Sequence, residues 1–254
     1  MQPLNITVLI ENETNRDTLC CEHGLSLYLR YGEHNILLDA GQTGIFARNA
    51  APLNCPLDTL DAAVLSHGHY DHADGFASFF ETNKALKVYA RPAVMEPQYN
   101  GSRYIGLKSE LTERYADRFD LSDEQRGILP GLWLVPDTVE HEQSLVAETE
   151  QGLVVMNSCC HAGGDNIVAD ILARFPGKKV HALIGGLHLM GPGGVTTLGK
   201  QPEEVLSLAH RLTDELGVTY VYTGHCTGAP ACELLQEVSA ETFRMIHTGD
   251  TLTF

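Results

Sequence analysis

The 254-residue sequence is short of positive charge: 17 lysines and arginines stand against 33 aspartates and glutamates, a formal net charge of -16. Without a basic stripe nothing can replace counterions along a phosphate backbone, which argues against non-specific nucleic-acid binding. A small anionic substrate survives that argument, because a bound metal ion reverses the local sign of the field. Long apolar runs are also missing. No stretch approaches the ~18 residues of a membrane span, and the opening MQPLNITVLIENETNRD lacks the basic and apolar segments of a secretory signal. There is no CxxC, and the seven cysteines are an odd number with two adjacent pairs, Cys20 with Cys21 and Cys159 with Cys160. The expectation is reduced thiols in a cytoplasm rather than a disulfide framework.

What is present reads as strands alternating with helices. Strands are expected at ITVLIEN from Ile6, LSLYLRYG from Leu25 and HNILLDA from His34, with Leu25, Leu27 and Leu29 marking one buried face. Ala73 to Glu81 reads as a helix that buries Phe76, Phe79 and Phe80. In the second half, SLVAET and LVVMNS form a hairpin around Gln151 and Gly152, and Asn166 to Phe175 is an amphipathic helix. KKVHALIGG and VTYVYTG are strands separated by a helix from Pro202 to Leu216, which Gly217 ends. Two halves of this kind predict an α/β fold, a four-layer αββα sandwich of two mixed β-sheets with outer helices. The chain is expected to form one domain over 1–254, with an insertion or cap at 92–129, where regular alternation stops.

The densest chemistry lies at SHGHYDH, Ser66 to His72, which follows the apolar run Ala62 to Leu65. Extended backbone sends alternate side chains to one face, so His67 and His69 can converge on one ion while Asp71 and His72 turn toward a second. Imidazole nitrogen and carboxylate oxygen are ligands suited to a hydrolytic divalent site. Three further histidines follow apolar strands: His161 after LVVMNSCC, His188 after HALIGG and His225 after VTYVYTG. Loops at strand ends are where active-site residues collect. His34, His141, His181, His210 and His247 lack that context and are assigned structural roles.

SHGHYDHADG resembles the HxHxDH signature of the metallo-β-lactamase superfamily, and Asp39 in LLDAGQ matches that family's strand-end aspartate. The resemblance implies a first metal position of His67, His69 and His161 and a second of Asp71, His72 and His225. It departs at GGLHL, where His188 stands in place of a bridging aspartate. Together with EHGLSL, which carries His23, and TGHCTG, these motifs are similar to a branch that includes pterin-phosphate synthases. The implied cofactor is one or two divalent ions, Zn2+ first, with Mn2+ or Fe2+ as alternatives. The implied activity is metal-dependent hydrolysis, or a related transfer, on a small anionic, phosphate-bearing metabolite. A condensation that releases pyrophosphate is the alternative, followed by a di-iron redox protein or a non-catalytic metal-binding protein. Asp71 is the candidate catalytic proton acceptor, and Asp39 is expected to fix the tautomer of a ligand histidine. His23, Tyr99, Arg103 and Tyr104 are candidate substrate contacts, with Arg91 and Lys108 as further cations near an anion.

Overall fold

Strand pairing divides the chain into two seven-stranded sheets with the same internal plan. In a computed structural model describing residues 1–254, the first sheet runs Thr251–Thr253, Leu4–Ile10, Ser26–Tyr31, His34–Leu38, Ala62–Val64, Val88–Ala90 and Phe119–Leu121. The second runs Phe243–Met245, Tyr220–Thr223, Val180–Ile184, Gly152–Met156, Gln143–Thr149, Leu132–Pro136 and Arg126–Leu129. Each sheet is antiparallel over one end and parallel over the other, from His34–Leu38 onward in the first sheet and from Gly152–Met156 to Phe243–Met245 in the second.

Period-two alternation explains the layering. Leu27 and Leu29 point inward to a buried cluster drawn from both sheets, with Leu134, Leu145, Val154 and Ile184 opposite them. Tyr28, between them in sequence, points to the other face and a second cluster, where Phe46, Phe76, Phe79 and Phe80 cover the first sheet. A third cluster packs Ile167, Val168 and Ile171 of the helix Gly164–Arg174, with Val205 and Ala209 of the helix Pro202–His210, onto the second sheet. Helix, sheet, sheet and helix therefore stack as expected, with strand residues buried on both faces.

Three local differences follow from packing. The helix expected from Ala73 to Glu81 is two, Tyr70–Ala73 and Phe76–Thr82, broken at Gly75, where an added Cβ would stand 2.0 Å from the Ala40 carbonyl oxygen. The helix from Pro202 stops being α-helical at His210 and continues as a π-turn over Arg211–Glu215. Within 92–129, the part up to Arg118 forms short helices and the two-stranded ribbon Tyr99–Asn100 and Arg103–Tyr104, whereas Phe119–Leu121 and Arg126–Leu129 are edge strands of the two sheets. No helix is long and apolar enough to cross a membrane, and all seven cysteines are unpaired.

Candidate metal centre

The parallel strands of both sheets deliver their C-terminal ends to one rim. His34–Leu38 ends in Asp39 and Ala62–Val64 leads to His67. In the second sheet, Gly152–Met156 leads to His161, Val180–Ile184 to His188 and Tyr220–Thr223 to His225. Backbone strain collects there as well. Of the five non-glycine residues with left-handed φ, four are Asp39, Cys160, His188 and His225, at +58°, +50°, +51° and +48°. Such conformations persist only where the surroundings over-determine them.

Buried carboxylates hold these turns. Asp39 accepts the Ser66 N–H and the Ser66 hydroxyl, each at 2.7 Å, and the Nδ1–H of His72 at 2.8 Å. Glu142 accepts the N–H groups of Cys159 at 3.1 Å and His161 at 2.6 Å, and lies 3.4 Å from His67 Nδ1. Glu11 accepts the N–H of His225. Burial pushes the Glu142 carboxyl up to about 8 and that of Glu11 up to about 7, with backbone hydrogen bonds acting against it.

The donors fall into two adjoining sets. His67 Nε2 stands 3.0 Å from His69 Nδ1, and the His161 ring centre lies 5.0 Å and 4.8 Å from those of His67 and His69. In the second set, His72 Nε2 and His225 Nε2 are 3.0 Å apart, with Asp71 Oδ2 at 3.8 Å and 3.4 Å from them. His23 Nε2 approaches the same carboxylate oxygen at 3.2 Å. Six of the seven residues expected to bind metal, and His23, are thus brought together; the seventh is His188.

In the second set the facing ring nitrogens lack a hydrogen-bond donor between them. Assigning tautomers from their partners, His72 gives its Nδ1 proton to Asp39 and His225 gives its own to Asn12 Oδ1, 3.3 Å away, so each turns an Nε2 lone pair toward the other and toward Asp71. Only a proton or a metal cation makes that arrangement attractive. Burial disfavours a charged His72, but Asp71 and Asp39 outweigh it and raise its pKa to about 9. Burial likewise works against the Asp71 carboxylate, and the imidazoles of His72, His23 and His225 still hold its pKa well below the usual range. In the first set, burial and neighbouring imidazoles bring His69 down to about 3 and His161 to about 2, and keep buried His67 neutral. Neutral imidazole is the form that binds metal. His161 Nε2 is buried with no hydrogen-bond partner, which also fits a ligand position.

Two placements differ from expectation. The donor atom of His188 joins neither histidine set: its exposed ring stacks on His161 at 4.2 Å, and its donor atom groups with the sulfurs of Cys159 and Cys226. His141, assigned a structural role from sequence, packs its ring 5.0 Å from His161 and 5.2 Å from His69, with a buried, unpartnered Nε2. It arrives with Glu142 at the start of the strand Gln143–Thr149, whose antiparallel partner Gly152–Met156 ends beside it. The hairpin was legible in the sequence, and its geometry places the residues before one strand next to those after the other. Tyr99 and Tyr104 are exposed; Tyr99 lines a cavity together with His69 and His141, and Tyr104 gives its hydroxyl to the Leu107 carbonyl at 2.7 Å.

A cavity of about 330 Å³ opens over both sets, lined by His23, His69, Asp71, His161, His188 and His225 on one side and by Tyr70, Asn100 and Arg103 on the other. Arg103 reaches in from the ribbon, its guanidinium 5.2 Å from the Tyr70 ring centre and 3.0 Å from its hydroxyl. Tyr70 lies inside SHGHYDH, but neither its residue type nor its spacing singles it out. Arg91 and Lys108 are taken up elsewhere: Arg91 by Asp123 and three backbone carbonyls, Lys108 by Asp74.

Two mixed sheets that deliver histidines and a carboxylate to one rim define a class of metal-dependent, hydrolase-type enzymes, and the chain belongs to the metallo-beta-lactamase superfamily, whose family model matches residues 21–210. Within it, the 7,8-dihydropterin-6-methyl-4-(beta-D-ribofuranosyl)-aminobenzene-5'-phosphate synthase of Methanocaldococcus jannaschii is 28% identical, over 92% of this chain and 90% of that one. Among solved structures, Tm1679, a metal-dependent hydrolase of the beta-lactamase superfamily, is 25% identical with a TM-score of 0.76 and 98% of each chain covered. A diphosphatase from the PhnP family shares the fold, with a TM-score of 0.57 at 18% identity over 100% of this chain and 98% of that one.

Proposed function

We propose that the protein is a metal-dependent hydrolase, or a related transferase, that acts on a small, anionic, phosphate-bearing metabolite. The observation that carries this reading is the pair of donor sets, His67, His69 and His161 beside Asp71, His72 and His225, next to a cavity that Arg103 also lines. A divalent ion, zinc first among the candidates, would act there as a Lewis acid and lower the pKa of water from ~15.7 to ~7.

The chain's own residues supply the rest. Asp39 and Glu142 orient His72 and the turn bearing His161, so that ligand nitrogens rather than N–H groups face the cavity. Asp71 remains a carboxylate and is the group placed to accept a proton from the attacking nucleophile. Arg103, steadied against Tyr70, offers its guanidinium to a phosphate oxygen entering from the open side. His23, next to Asp71, is a second contact for the substrate.

A condensation that expels pyrophosphate is the second reading, favoured by the likeness to the synthase over 92% of this chain. Both reactions use the same anion-holding groups and differ in whether water or an organic nucleophile attacks. Metal-loaded protein should be offered phosphodiesters, lactones and thioesters, and separately a pterin pyrophosphate with and without an arylamine acceptor. Phosphoester cleavage without acceptor supports hydrolysis, whereas pyrophosphate release that depends on acceptor supports the condensation. Near-stoichiometric iron that changes colour reversibly on reduction, with no turnover of any of these, would overturn both.

A further inference from the structure

We propose that the thiolate of Cys159 is a metal ligand, placed where the two histidine sets meet. The inference rests on the metal-dependent reading above and adds to it a sulfur donor that the HxHxDH motif does not contain.

Position comes first. Asp39 and Glu142 use their oxygens on backbone, hydroxyl and ring N–H groups, although a Glu142 oxygen also lies within 4.8 Å of donor atoms on His67, Cys159 and His161. Cys159 lies between the two sets. Its sulfur is within 4.8 Å of donor atoms on His67 and His161 and, separately, of those on His72 and His225. It approaches His72 Nε2 to 3.3 Å. Donor atoms ~2.0–2.3 Å from one four-coordinate ion stand roughly 3.3–3.7 Å apart. The contact between Cys159 and His72 falls at that spacing, as does the one between Asp71 and His225 at 3.4 Å.

Packing supports the same assignment. A buried cysteine is more often a small apolar filler than a ligand. Cys55 and Cys160 fit that description, since each belongs to one of the large apolar clusters. Cys159 and Cys226 are equally buried but belong to neither, nor to the cluster between the sheets. Their sulfurs face each other at 3.3 Å, and the Cys159 N–H is fixed on Glu142. A sulfur donor shifts preference toward zinc, iron or cobalt and away from manganese and magnesium.

Cobalt substitution tests this without reference to turnover. Metal-free full-length protein titrated with Co2+ should develop the near-ultraviolet sulfur-to-cobalt charge-transfer absorption as the ion binds. Cys159→Ser should still take up cobalt but lose that band, and Cys226→Ser should keep it. Zinc affinity should fall tenfold or more in Cys159→Ser, while manganese affinity changes by less than about threefold. Wild-type protein that binds cobalt without the band, or Cys159→Ser that retains it, overturns the proposal and leaves the metal-dependent reading intact. Failure of the wild-type protein to bind cobalt at all would overturn both.

Discussion

His72 lies between two carboxylates, Asp39 on its Nδ1 and Asp71 near its Nε2, and that position decides which of its nitrogens meets the cavity. Replacing Asp39 with asparagine leaves one acceptor oxygen where there were two; with that oxygen kept by the Ser66 N–H, an NH2 faces His72 Nδ1 and the imidazole tautomer is no longer fixed. We expect Asp39→Asn to weaken metal binding by about 10–100-fold with little change in fold, measured by competition with a chromophoric chelator. Binding at the wild-type level would show that Asp39 merely caps its turn. The ligands themselves should be less forgiving: His67→Ala and His161→Ala are each expected to abolish metal-dependent activity, and turnover at the wild-type rate in either would refute the assignment. At this scale the sequence was most informative where chemistry and local order coincide, as in SHGHYDH. It was silent on Glu142, Glu11 and Cys159, whose roles depend on which loops face them across the rim. Nothing in VEHEQS announces that Glu142 will accept the N–H groups of Cys159 and His161.

Elements deliver these residues, and their ends matter more than their interiors. The run from Leu25 to Tyr31 was legible as a strand because its alternation survives burial on both faces: leucines meet the other sheet and Tyr28 meets the helices. The break at Gly75 and the π-turn after His210 were not legible, since both answer to contacts made by distant segments. Gly24 shows how tight those contacts are. Its φ of +143° is one that side chains rarely adopt, and an added Cβ would stand 2.2 Å from the Asp71 carbonyl oxygen. The loop bearing His23 is pressed onto the helix bearing Asp71 at that point. Gly24→Ala should cost more than about 2 kcal/mol, because strain and a backbone clash act together. Urea denaturation measures the loss, and a midpoint unchanged from wild type would mean that the two segments are not in contact.

The whole molecule keeps one charge ledger. In the metal-free protein, burial lowers the pKa of His67, His69, His161 and His225, so the unfolded chain binds protons that the native one refuses as pH falls below 6.5. Glu11, Glu142 and His72 act in the other direction. Their folded values, about 7, 8 and 9, lie above the ordinary 4.5, 4.5 and 6.5, so the stability they contribute is lost as pH rises through those folded values. The metal-free chain should be most stable near pH 6.5, with a melting temperature that falls on both sides. Zinc should reduce the alkaline fall to the share of Glu11 and Glu142, because the ion replaces the His72 proton, and its affinity should rise from pH 6 to 8. Scanning fluorimetry across that range checks both; a flat profile without metal would contradict the assigned burial effects. The four-layer architecture was readable from the order of strands and helices. The mirrored plan of the two sheets, which brings antiparallel strand starts to the rim beside parallel strand ends, appears only once the sheets are paired.

The central claim is that these two donor sets hold the ions on which turnover depends. It is tested most directly by stripping the protein with a chelator and adding zinc back stepwise, while following cleavage of a phosphodiester or consumption of a pterin pyrophosphate. The account predicts no turnover in the stripped protein, recovery proportional to zinc added, and saturation at one or two ions per chain, with no recovery in His67→Ala. Full activity after complete removal of metal, or equal recovery in His67→Ala, would contradict it.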